Sequence, residues 1–131
     1  MLDGCGRTID YLRLSVTDLC NYRCRYCMPA EGICKRDHRD ILSLEELAEI
    51  ARACVHCGVK KIRLTGGEPL VRRGIVELCR QLRAIPELEE LCLTTNGSLL
   101  PQLASPLREA GLDRLNISLD TLRPDRFTEM T

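Results

Sequence analysis

Tyr11-Leu-Arg-Leu-Ser-Val-Thr-Asp-Leu-Cys-Asn-Tyr-Arg-Cys-Arg-Tyr-Cys-Met-Pro29 joins two patterns in one short stretch. Its first six residues alternate, with Leu12, Leu14 and Val16 on one side and Tyr11, Arg13 and Ser15 on the other, which is the period of a β-strand. The alternation then gives way to Cys20, Cys24 and Cys27, separated by three and then two residues. Thiolates at that spacing fold around one small inorganic centre. A structural zinc site closes its shell with four protein ligands. An iron–sulfur cluster held by three cysteines instead keeps one iron open to a ligand that is not protein.

Downstream, the same strand-then-helix unit recurs. Ser43-Leu-Glu-Glu46 is a capping box, and Leu44, Leu47, Ala48, Ala51, Cys54 and Val55 mark one face of the helix it opens, which Gly58 stops. A strand over Lys61–Thr65 ends in Gly66-Gly-Glu-Pro69, and a helix from about Arg73 to Ala84 follows. A third strand, Glu90–Thr95, ends at Asn96-Gly97, with a helix over Pro101–Ala110. A fourth strand spans Arg114–Leu119, and Pro124 opens a last helix. Four such units predict an α/β fold built on a parallel sheet. Glu31 to Asp40 reads as an exposed excursion.

Each strand is apolar on one face only, whereas strands covered on both faces read as continuous hydrophobic runs. The other face carries Tyr11, Arg13 and Ser15, then Lys61, Arg63 and Thr65, then Cys92 and Thr94, then Asn116, Ser118 and Asp120. Packed barrel interiors favour Val, Ile and Leu. A sheet curved around a polar, basic ligand cavity therefore fits better, with the special residues at the C-terminal strand ends where α/β folds bind ligands.

Composition narrows the function classes. A chain of 131 residues is one domain's worth, and 44% hydrophobic with 29% charged residues is ordinary for a globular protein. The 19 basic and 19 acidic side chains cancel, and three Tyr, one Phe and no Trp offer little to stack bases on, so neither nucleic acid nor membrane is an expected partner. Without a signal peptide or a long apolar run, the expected location is cytoplasmic. Nine cysteines in a reducing compartment point to a metal site plus scattered thiols rather than disulfides. Cys54 and Cys57 close an amphipathic helix, Cys79 belongs to a core face, Cys92 faces the cavity, and Cys5 and Cys34 lie in loops.

Two readings of the cysteine loop stand at this point. Cys34 or His38 could complete a non-catalytic zinc module, although zinc ribbons and fingers are small β or ββα units rather than the mouth of an α/β sheet. The alternative is a three-cysteine cluster, next to which Gly66-Gly-Glu-Pro69 lets backbone approach a ligand and offers a carboxylate to a cationic amine.

Cys-x3-Cys-x2-Cys after the first strand and Gly-Gly-Glu-Pro after the second resemble the radical S-adenosylmethionine (SAM) superfamily. Leu12–Pro29, Ile62–Pro69, Thr94-Thr-Asn-Gly97 and Asn116–Asp120 are more narrowly similar to the GTP 3′,8-cyclase family of molybdenum cofactor biosynthesis. The resemblance implies an incomplete partial TIM barrel in which Cys20, Cys24 and Cys27 hold a [4Fe–4S] cluster whose open iron is chelated by SAM. It implies that Tyr26, Gly67 and Ser118 contact SAM, that Arg13, Arg63 and Thr94 contact GTP, and that an electron donor is needed. No catalytic side chain is implied beyond these, and a peptide-modifying member of the superfamily is the other enzyme reading. Arg13, Arg63, Thr94 and Ser118 fall on the polar face deduced from alternation alone. Lys61 shares it.

The family continues into further βα units and a C-terminal segment with a second three-cysteine cluster, which Cys54, Cys57 and Cys79 do not match. The expectation is therefore that residues 1–131 form the N-terminal portion of a radical SAM core domain, a lyase fragment unable to cyclise GTP by itself.

Overall fold

The computed structural model describes residues 2–33 and 40–131. Cys34 and His38, the residues that could complete a zinc site, lie outside the described residues, as does most of the excursion expected before Asp40. The elements run β1 (Tyr11–Ser15), α1 (Leu44–His56), β2 (Lys61–Thr65), α2 (Ile75–Arg83), β3 (Glu90–Thr95), α3 (Leu100–Glu109), β4 (Arg114–Ile117) and α4 (Pro124–Met130). The strands form one parallel sheet in the order β1-β2-β3-β4. This is the four-unit α/β arrangement that the alternation predicts. No helix among the described residues is long and apolar enough to cross a membrane.

Register sorts the side chains into two layers. Leu14, Leu64, Leu93 and Leu115 lie side by side across the sheet, and so do Arg13, Arg63, Cys92 and Arg114. Side chains alternate faces along a strand, so one row points to the helices and the next away from them. Ile62, Leu64, Leu91 and Leu93 are completely buried against Leu47, Ala51 and Val55 of α1, Leu78, Cys79 and Leu82 of α2, and Leu107 of α3. The capping box forms as read: the Ser43 hydroxyl accepts from the Glu46 N–H at 3.1 Å, and the Glu46 carboxylate accepts from the Ser43 N–H at 2.7 Å. A 3₁₀ turn at Pro69–Val71, absent from the sequence reading, carries the chain from β2 towards α2.

β4 departs from expectation. The reading carried it to Leu119. The strand ends at Ile117, and Leu115, Ile117 and Leu119 are 38%, 58% and 55% exposed. The reason lies in α4, which buries no residue and turns to the cysteine loop instead of this face.

Candidate active site

The Gly-Gly-Glu-Pro turn is shaped first by the chain that crosses it. Beyond β1 and β2 the pairing continues: the Val16 N–H donates to the Thr65 carbonyl at 3.0 Å, Gly67 N–H to Thr17 at 2.8 Å, and Glu68 N–H to Leu19 at 2.8 Å. These bonds hold the lead-in to the cysteine loop flat against the turn. A Cβ on Gly66 would overlap the Thr17 carbonyl oxygen, and one on Gly67 those of Asp18 and Leu19. Gly66 also sits at φ +147°, a conformation that side chains disfavour. The sequence reading assigned these glycines to close approach of a ligand; backbone packed on backbone requires their missing side chains as well.

The loop then coils on itself. The Cys27 and Met28 N–H groups both donate to the Cys24 carbonyl, at 2.8 and 3.0 Å, which brings Cys24 and Cys27 round one turn. The Arg23 guanidinium donates to the carbonyls of Cys20 and Tyr22 at 2.8 and 2.9 Å, bracing the stretch between the first two cysteines. All three thiols line one cleft of about 200 Å³ at the C-terminal ends of the strands. Burial, and then the neighbouring Cys20 and Cys27, push the Cys24 thiol up from its ordinary value. A positive centre between the three sulfurs would relieve that repulsion.

Every residue named for the site from sequence, except Arg63, lines the same cleft: Cys20, Cys24, Cys27, Tyr26, Gly67 and Ser118, together with Arg13 and Thr94. Arg63 stands two register positions from Thr94's row, on the same face, and donates to its hydroxyl at 3.3 Å. It also donates to the Tyr11 hydroxyl at 2.6 Å and to the Asn116 side-chain oxygen. Each of these partners is a neutral oxygen, so Arg63 is held in place with its charge uncompensated. Arg13 is exposed and makes no hydrogen bond or ion pair among the described residues. The other cations of this face are matched. Glu90 takes Arg114 at 2.9 Å and Lys61 at 3.6 Å, and its carboxyl is held below its ordinary value by the Cys92 thiol donating to it and then by those two cations. The electrostatics thus leave Arg13 and Arg63 as the pair available to an anion.

Glu68 is not available to an amine, contrary to the sequence reading. Its carboxylate is 1% exposed and accepts from the Leu70 N–H at 3.0 Å, the Thr95 hydroxyl at 2.7 Å and the Asn96 N–H at 2.6 Å. It locks the end of β2 to the end of β3.

Several contacts at this rim were missed. Tyr26 donates its hydroxyl to Asp120 at 2.7 Å, and that bond, more than burial, raises the phenol to about 12. α4 adds three contacts: the Tyr22 and Phe127 rings meet edge to face at 5.8 Å, Arg25 pairs with Glu129 at 3.2 Å, and the Arg25 N–H donates to the Met130 carbonyl at 3.0 Å. Nothing in the periodicity of a seven-residue helix signals which way it turns. Asn96 was readable: an Asn two residues before Ser after a strand is an Asx-turn pattern.

Among the described residues no three His, Cys, Asp or Glu side chains converge tightly enough to hold a single metal ion. The three thiols that line one cleft are the soft donor set that iron–sulfur clusters take.

The Radical SAM superfamily model matches residues 14–131. Among curated proteins the whole chain aligns with the GTP 3′,8-cyclases of Geobacter sulfurreducens and Peptoclostridium acidaminophilum at 61% identity, and with that of Alkaliphilus oremlandii at 55%. It spans 40% of the length of the first two and 41% of the third.

Proposed function

The chain belongs to the radical SAM superfamily, and from that premise we propose that its cleft is the cluster-and-SAM site of a GTP 3′,8-cyclase. The observation that carries this reading is the shared cleft: Cys20, Cys24 and Cys27 line it together with Gly67, Ser118, Arg13 and Thr94. A [4Fe–4S] cluster held here would supply one-electron reductive cleavage of SAM, the source of radical chemistry on the ribose of GTP. The chain's own residues do the rest. Cys20, Cys24 and Cys27 hold the cluster, and Tyr26, Gly67 and Ser118 contact SAM. Thr94 contacts the nucleotide, and Arg13 and Arg63, the two uncompensated cations, take its phosphates.

In this reading residues 1–131 are the N-terminal portion of a radical SAM core domain, within a cytoplasmic lyase that draws its electron from a separate donor. The relatives' greater length supports it. Full cyclisation is accordingly not expected from these residues alone.

Anaerobic reconstitution with iron and sulfide tests the proposal. The expected product is brown, and with dithionite and SAM it releases 5′-deoxyadenosine. Substituting Cys20, Cys24 or Cys27 by Ala abolishes both. A colourless protein that retains zinc and ignores SAM overturns it.

A further inference from the structure

Asn96 sits at the end of β3 with its side chain beside the first cysteine of the loop. Its Nδ2 lies 4.0 Å from Cys20 Sγ and 2.9 Å from Asn21 Oδ1. The other end of the amide is occupied: Asn96 Oδ1 accepts from the Ser98 N–H at 3.0 Å and from the Ser98 hydroxyl at 2.8 Å. Asn21 Nδ2 in turn donates to Ser98 Oγ at 2.8 Å. Asn21, Ser98 and Asn96 therefore close a ring, which decides the amide's orientation. Oδ1 is tied to donors, so it is the N–H end that faces the sulfur. The backbone beneath is fixed as well, since the Asn96 N–H is bonded to buried Glu68, which also accepts from the Leu70 N–H and from Thr95, itself 2% exposed.

Cys20 Sγ receives a second donor, the Tyr22 N–H at 3.4 Å. Among the described residues the hydrogen bonds to loop sulfurs fall on Cys20, which makes it the asymmetric member of the trio.

We infer that Asn96 is a positioning and tuning residue for the iron–sulfur centre. Its amide N–H points at the Cys20 thiolate and raises the cluster's reduction potential, with Glu68 and the Asn21–Ser98 ring holding it there. The inference rests on the cluster reading of the proposed function. The physical reason is that the added electron spreads onto the cysteine sulfurs. A donor dipole aimed at one of them stabilises the reduced state, and hydrogen bonds to the sulfurs are among the determinants of cluster potential. It also gives Glu68 a role other than ligand contact: this carboxylate is the anchor that fixes where Asn96 stands.

The test is a redox titration of the reconstituted 131-residue chain, following the reduced cluster by electron paramagnetic resonance. Asn96→Ala lowers the reduced-to-oxidised ratio at a fixed potential about tenfold, equivalent to about 59 mV for one electron. Asn96→Asp, which swaps the donor for an anion, lowers it further. Ser98→Ala leaves the contact in place but frees the amide to rotate, and gives a smaller shift in the same direction. A loss of folding alone would not order the three variants in this way, and Ser98→Ala serves where Asn96 variants do not fold. Wild-type midpoints in every variant that carries a full cluster overturn the inference while leaving the cluster reading intact. A wild-type chain whose iron and sulfide contents show no [4Fe–4S] cluster overturns both, so the two failures are told apart by analysis of the wild type.

Discussion

Leu93 and Leu115 are register partners on adjacent strands, yet the first is fully buried and the second is 38% exposed. The contrast extends to the regions around them. β1 to β3 are covered by α1, α2 and α3 in one continuous core. β4 and α4 add no fully buried apolar side chain; β4 pairs with β3, and α4, with Asp120 before it, contacts the cysteine loop through Tyr22, Arg25 and Tyr26. Stability is thus concentrated in one half, and the other half orders the site.

This division can be broken most directly in the core. Leu93→Ala is expected to cost about 2–5 kcal/mol, the range for a leucine deleted from a packed interior. Its partner substitution, Leu115→Ala, should stay within about 0.5 kcal/mol, as at exposed positions. Urea unfolding of the two variants checks the pair, and equal losses would dissolve the distinction.

Gly67→Ala sits on the boundary. Its new methyl meets the Asp18 and Leu19 carbonyls, so the lead-in must shift, at about 1–3 kcal/mol by analogy with overpacked cores. Iron content after reconstitution should fall more than thermal stability does, because the displaced segment carries Cys20.

Phe127→Ala removes the edge-to-face partner of Tyr22, a contact worth about 0.5–1.5 kcal/mol beyond area burial. Hydrogen exchange at the Arg25 amide, bonded to Met130, should accelerate while exchange in β2 and β3 stays unchanged.

The smallest effect concerns pH. Glu90 has a folded value lowered from 4.5, so it contributes stability that is present above that value and lost as pH falls through the lower folded one. Glu90→Gln should be slightly less stable than wild type at neutral pH, with the gap closing in acid. A gap that widened in acid would reverse the assignment.

Much of this was legible in the sequence because strand alternation is a two-valued code. Once Leu12, Leu14, Ile62, Leu64, Leu91 and Leu93 face the helices, Arg13, Arg63 and Thr94 must share the opposite face, and the register bears this out. The capping box at Ser43 was equally local and equally readable. What escaped depends on contacts between segments distant in the chain. The Glu68 carboxylate was offered to an amine because its residue type suits one, whereas its partners, Thr95 and Asn96, come from the next strand's end. The turn of α4 towards the loop, and the uncovered face of β4 that results, follow from tertiary placement that seven residues of pattern do not encode.

The central claim is that three cysteines leave one iron for SAM. It is tested most directly by pulsed electron–nuclear resonance on the reduced, reconstituted chain with SAM carrying nitrogen-15 in its amino group. The account predicts a coupling between the cluster's electron spin and that nitrogen, absent when unlabelled SAM is used. A full cluster showing no such coupling at saturating SAM would contradict it.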